Sequence, residues 1–115
     1  MKCGDIHWAL LHPRSGSEQS GRRPVLVVSD DGFNRVPSWR SMIVVPFSTS
    51  SKQASRGLTT VVVPRGVGGL QSESVALCHQ VTTLDRGKLS RRIGTLPASY
   101  LYDVGLALRA AMALL

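Results

Sequence analysis

The sequence predicts a mainly β protein that ends in one α-helix, and three observations carry that prediction. Runs rich in Val, Ile and Thr recur with short polar breaks. Gly, Pro, Asn, Asp and Ser cluster between the runs, where turns need them. Only after Pro97 does the apolar spacing change to that of a helix. From pattern alone the β part is a barrel or a sandwich.

The first strand is expected at Asp5 to Leu10. The segment from His12 to Arg22 holds Pro13, Gly16 and Gly21 and reads as a loop, long for so small a protein and therefore a place to look for function. Pro24 to Ser29 and Met42 to Phe47 are nearly continuous apolar runs, as expected of central strands covered on both faces. Asp30 to Ser41 between them is rich in turn formers. Ser48 to Arg56, dense in Ser, reads as a second mobile loop. Leu58 to Val63 and Ser74 to Thr83 are the next strands, joined by the Gly-rich turn Pro64 to Gly69, and Arg91 to Leu96 a short last one. Pro97 suits the first turn of a helix, where its missing N–H costs nothing, and Leu101, Val104, Leu108, Ala111 and Leu115 then share a face.

Length and composition bound the rest. At 115 residues with 43% hydrophobic content, the chain is expected to be a single domain, 1–115. The N-terminus shows no apolar run of the kind a secretion signal needs, and Val104 to Leu115 is too short to span a bilayer, so the expected compartment is the cytoplasm. Cys3 and Cys78 lack ligand spacing and read as small apolar residues in a reducing environment. Neither the histidines nor the carboxylates cluster as a metal site would, so no metal or other cofactor is expected.

Charge is the first functional sign. Fourteen Lys and Arg against seven Asp and Glu give a formal net charge of +7, which favours a polyanionic partner. Eleven of the basic residues are Arg, whose planar fork grips phosphate and stacks on bases. A basic surface that only maintains solubility is the plainer reading.

At Gly16 to Ser29 (GSEQSGRRPVLVVS) the sequence resembles the MazF/PemK/Kid family of toxin ribonucleases. GDIHWA at Gly4 to Ala9, MIVVPFSTS at Met42 to Ser50 and SVALCHQVTTLDRGKL at Ser74 to Leu89 agree in order and spacing, as does the final helix. The resemblance implies an SH3-like β-barrel of the CcdB/PemK type. It implies a homodimer that cuts single-stranded RNA within a short preferred sequence, as the toxin of a type II toxin–antitoxin pair. It implies as well a cognate antitoxin whose C-terminal segment covers the RNA groove. Arg23 falls on the family's catalytic Arg, and Ser48 on a position where relatives usually carry Thr. Glu18 falls in the substrate loop with Ser17 and Gln19; Arg22, Thr49, Ser74, His79 and Gln80 complete the RNA-contacting set. His79 departs from the polar or acidic residue common there, so the recognition sequence is left open.

Cleavage of this kind, without metal, uses the substrate's own 2′-hydroxyl as nucleophile, leaving the protein to supply position, charge stabilisation and proton transfer. Arg23 would face the charge that builds on the phosphate oxygens; as a guanidinium it keeps its proton, so electrostatic stabilisation suits it better than base action. Ser48, or Thr49 beside it, could donate a hydrogen bond to the phosphate. Glu18 could take the 2′-hydroxyl proton or bind a base edge. Each has a plainer reading: Arg23 paired with Asp30 or Asp31, Ser48 a turn former, Glu18 a solvated carboxylate, Gln80 a partner for buried backbone groups. Trp8 and Trp39 could stack on unpaired bases; of the two, Trp8 reads more as core and Trp39 as exposed. His7 and His12 are not tied by spacing to Arg23. Two other functions stay open: a CcdB-like toxin that poisons DNA gyrase by contact, and a non-catalytic SH3-like nucleic-acid-binding module.

Overall fold

The computed structural model describes residues 1–12, 16, 18–49 and 57–114. Ser17 and most of the second expected loop, 50–56, lie outside the described residues, as does Leu115. In chain order the elements are β1 (Asp5–Leu11), β2 (Gly21–Val27), the short helix α1 (Asp31–Asn34), β3 (Ser41–Ser48), β4 (Thr60–Val63), β5 (Ser74–Leu77), β6 (Thr82–Asp85), β7 (Leu89–Thr95) and α2 (Ala98–Met112).

All pairings are antiparallel, in the order β4-β5-β3-β2-β1-β7, with β6 also on β3. The path ends on β4 and β7, so among the described residues the seven-stranded sheet is open rather than a closed barrel. Residues Arg86–Lys88 form a 3-10 turn that carries β6 directly into β7. The Gly-rich turn Val67–Gly69 lies against β7 so closely that a Cβ on Gly69 would sit 2.6 Å from the Ile93 carbonyl oxygen.

The apolar runs of β2 and β3 are continuous because both faces of the sheet are buried. Ile6, Leu26, Val45 and Phe47 point to one side, into a core shared with Leu96, Val104 and Ala107. Ala9, Leu11, Val25, Val27, Met42 and Val44 alternate to the other side, against Leu89 and Leu84. Such double burial is what the sequence pattern predicts.

Three local expectations differ from what is observed. Ser74 to Thr83 is not one strand: β5 pairs with Phe47 and Ser48, β6 with Ser41 to Val44, and the 3-10 turn Cys78–Gln80 steps between them. Pro46, which has no N–H to give a ladder, sits in the gap. The 30–41 connection contains α1, capped by the Asp30 carboxylate on the Gly32 N–H at 2.8 Å. On α2, Val104 and Ala107 are buried with Leu101 and Leu108 half-buried, whereas Ala111 is exposed past the sheet's edge. No helix among the described residues is long and apolar enough to cross a membrane.

Candidate active site

The site forms where β1, β2 and β3 run past the body of the sheet toward the β1–β2 loop. Gly21 opens β2 with φ +81°, a left-handed conformation that side chains disfavour, and releases the chain from the loop into the strand. Trp8, Ala9 and Leu10 then pair with Pro24, Arg23 and Arg22. Strand alternation splits this end into two faces. Arg22 and Pro24 lie on the face of Trp8; Arg23 lies on the face of Val25.

Beside Trp8 is a hollow of about 380 Å³ that draws its lining from both faces. Four arginines line it, Arg22 and Arg23 from β2 and Arg91 and Arg92 from β7, together with Thr49, Ser74, Gln71 and Ser72. Among the described residues no carboxylate lines it. The Arg22 guanidinium carbon stands 4.7 Å from the centroid of the Trp8 ring. Arg23 donates from Nε to the Ser20 carbonyl at 3.1 Å, which fixes its stem while leaving the other guanidinium nitrogens clear of that bond. Arg92 approaches the buried Asp5 carboxylate only to 3.8 Å. Ser74 is 3% exposed and donates its hydroxyl to the Ser72 carbonyl at 2.9 Å.

The register adds a second relation. Val25 pairs with Pro46 as the last rung of the β2–β3 ladder, and Arg23 and Ser48 stand two residues beyond it, each by alternation on the face of its ladder residue. Ser48 pairs with Val75 as the last rung of β3 on β5, and Thr49 follows just past the strand end.

A smaller hollow of about 80 Å³ opens on the Pro46 side, lined by Glu18, Gln19, Gln80, His12 and Thr82 among others. Gln80 spans 61 residues to accept the Gln19 backbone N–H at 2.9 Å, tying the 3-10 turn to the β1–β2 loop. The Glu18 carboxylate accepts the Gly16 N–H at 3.0 Å.

The sequence-predicted residues thus fall into two groups astride the β2–β3 lip. Arg22, Arg23, Thr49 and Ser74 line the larger hollow; Glu18, Gln19 and Gln80 line the smaller. Ser48, 4% exposed, ends β3 between them and lines neither. His79 also lines neither; its Nδ1 is 3.3 Å from the Thr59 hydroxyl. Among the polar residues of the larger hollow, Gln71, Ser72, Arg91 and Arg92 were not foreseen as site residues, and Trp8, which reads more as core, also lines it. Trp8 is half-buried at the end of the core rather than inside it, so one face of its ring is left for Arg22. The Arg91–Arg92 doublet was visible, but only the pairing of β7 with β1 brings it to β2.

The other histidines stay apart from Arg23. His7 is buried and its Nδ1–H donates to the Ser90 carbonyl at 2.9 Å, which fixes the tautomer. Among the described residues no group of three or more His, Cys, Asp or Glu side chains could hold a metal ion. Cys3 and Cys78 are free thiols, and burial pushes the Cys78 thiol up to about 12. The arrangement can bind a polyanion, fix a phosphate between guanidinium and hydroxyl groups, and place a carboxylate and amides to one side.

Comparison with known proteins gives a consistent likeness. Residues 2–112 match the family model described as PemK-like, MazF-like toxin of type II toxin-antitoxin system. Endoribonuclease EndoA of Bacillus subtilis is 34% identical over 115 residues, which span 100% of this chain and 97% of that protein. The solved structure of Mycobacterium tuberculosis toxin MazF-mt6 superposes with a TM-score of 0.76 at 31% identity, covering 96% of this chain and 97% of that one. A MazE-MazF structure from Deinococcus radiodurans superposes with a TM-score of 0.75 at 28% identity, covering 100% of this chain and 97% of its counterpart.

Proposed function

The chain belongs to the PemK-like, MazF-like toxin family of type II toxin–antitoxin systems, and from that membership we propose that it is a sequence-specific endoribonuclease that cuts single-stranded RNA without a metal. The observation that carries the reading is the larger hollow: four arginines and three hydroxyl side chains, with only Arg92 near a carboxylate, that of Asp5 at 3.8 Å.

In the proposed reaction the 2′-hydroxyl of the substrate attacks the adjacent phosphorus, a P–O bond forms, and the bond to the 5′-oxygen breaks, the leaving oxygen taking a proton from solvent water. Arg23, held by Ser20, stabilises the charge on the non-bridging oxygens. The Ser48 hydroxyl at the strand end and Thr49 beside it fix the phosphate, one from each face of β3. Glu18 accepts the 2′-hydroxyl proton from the side of the smaller hollow. Arg22, Ser74, Gln19, Gln80 and His79, with Ser17, hold the RNA chain.

The same reading assigns the wider context. The strands β7-β1-β2-β3-β6, with the 3-10 turn joining their two ends, fit an SH3-like barrel of one domain. The net charge of +7 suits an acidic, disordered antitoxin segment that orders on contact, and the likeness to the MazE-MazF structure supports such a partner. A homodimer acting in the cytoplasm completes the proposal.

The test is cleavage of a long single-stranded RNA by purified protein in EDTA, with the ends mapped by sequencing. Discrete cuts that vanish in Arg23→Ala are expected. Intact RNA with both proteins would refute the ribonuclease reading, and gyrase inhibition without cleavage would replace it with the CcdB-like one.

A further inference from the structure

We propose that Arg22, held over the Trp8 ring, is a stacking shelf for one unpaired base of the RNA, so that this pair sets the base preference at a single position beside the cut. The inference rests on the ribonuclease reading above and assigns the larger hollow a subsite within it.

Four observations carry it. The Arg22 guanidinium lies 4.7 Å from the Trp8 centroid, a cation–π distance, while Arg22 as a residue stays exposed. A guanidinium backed by an indole offers its other side as a flat, weakly hydrated surface, and unpaired bases stack on such planes. The hollow beside it, about 380 Å³, is at the lower end of the range of about 300–1,000 Å³ for small-ligand sites and has room for one base with its sugar. Gln71 also lines the hollow and offers both a donor and an acceptor to a base edge, while Arg91 offers charge to the flanking phosphate. Arg22 has no carboxylate within ion-pair distance among the described residues, so protein acids do not draw it away. Trp8 acts here as a positioning residue, through Arg22.

The pair separates stacking from charge. Arg22→Lys keeps the cation and loses the plane; Trp8→Phe keeps a ring under Arg22 and Trp8→Leu removes it. Each variant is tried on a randomised-sequence RNA pool, with ends sequenced, and on the preferred sequence for kcat and KM. Arg22→Lys and Trp8→Leu are expected to flatten the preference at the same single nucleotide and to raise KM about tenfold, the lower end of what base stacking is worth. Trp8→Phe should retain most of the preference, and kcat should stay near wild type in all three. Arg22→Lys that keeps the full preference would overturn the inference and leave Arg22 a phosphate contact. So would losses confined to kcat, or a weakening equal across all sequences. Wild type that cuts no RNA would refute the ribonuclease reading itself, and this subsite with it; wild type that cuts with an unchanged motif in every variant would refute the subsite alone.

Discussion

The Gln80 side-chain oxygen accepts the backbone N–H of Gln19 at 2.9 Å, across 61 residues of sequence. The β1–β2 loop is therefore held not by its own residues alone but by the 3-10 turn that separates β5 from β6. Gln80→Ala should release it, at a cost of about 0.5–1.5 kcal/mol for one hydrogen bond. The Gln19 amide should then exchange with solvent markedly faster in NMR-detected hydrogen exchange, while amides of β3 exchange as before. Gln80→Glu keeps an acceptor and should restore protection. Unchanged exchange at Gln19 in the alanine variant would show that the loop is fixed by other means.

Arg23 and Ser48 stand two residues beyond the last rung of the β2–β3 ladder, Val25 with Pro46, and in the proposed reaction both act on one phosphate, so their contributions should not be independent. Each alanine substitution should lower kcat by about 10² to 10³, as for loss of one transition-state donor. The double variant should fall well short of the product of the two, because once one partner is gone the other has less to stabilise. Strict multiplicativity in single-turnover kinetics would place the two side chains at separate tasks.

Gly69 has φ +80°, and a Cβ there would sit 2.6 Å from the Ile93 carbonyl oxygen. Gly69→Ala should therefore lose at least about 1–2 kcal/mol from the left-handed backbone alone, seen as a lower urea midpoint with unchanged slope. Because Gly69 and Ile93 both line the larger hollow, RNA binding should weaken with it. A midpoint equal to wild type would mean that the turn does not close on β7 in solution.

Cys78 supplies a pH dependence. Burial raises its thiol to about 12 from an ordinary 9.0, so the folded state keeps the proton that the unfolded chain releases. The unfolded state then binds fewer protons above pH 9, and stability is full below that value and falls as pH rises toward 12. The slope is about 1.4 kcal/mol per pH unit from this one group. Denaturant titrations from pH 8 to 11 should show that slope reduced in Cys78→Ala. Fully buried and held protonated at pH 8, Cys78 should resist iodoacetamide in the native protein.

Much of the fold is legible in the linear pattern because each strand's burial is written into its own residues. Val25 to Val27 and Met42 to Phe47 have few polar residues because the sheet buries both of their sides. The break at Cys78–Gln80 was not legible, since those residues look like strand and only the step from β5 to β6 along β3 interrupts them. The site divides in the same way. The resemblance drew Glu18, Gln19, Arg22, Arg23 and Ser48 from two stretches of chain, and the structure divides them: Arg22 and Arg23 line the larger hollow, Glu18 and Gln19 the smaller, and Ser48 neither. Arg91, Arg92 and Gln71 come from distant segments whose side chains carry no local sign of a shared hollow.

By itself, then, the sequence determined the composition of this protein: a β-rich chain with a terminal helix, an excess of arginine, and a motif-bearing loop before β2. Tertiary structure alone decided which face each side chain serves. Alternation along β2 sends Arg22 to the face of Trp8 and Arg23 to the other, and Trp8, half-buried, leaves one side of its ring to the Arg22 guanidinium. Local residue choice sets whether a strand forms; only the pairing of strands far apart in the chain sets what stands beside it.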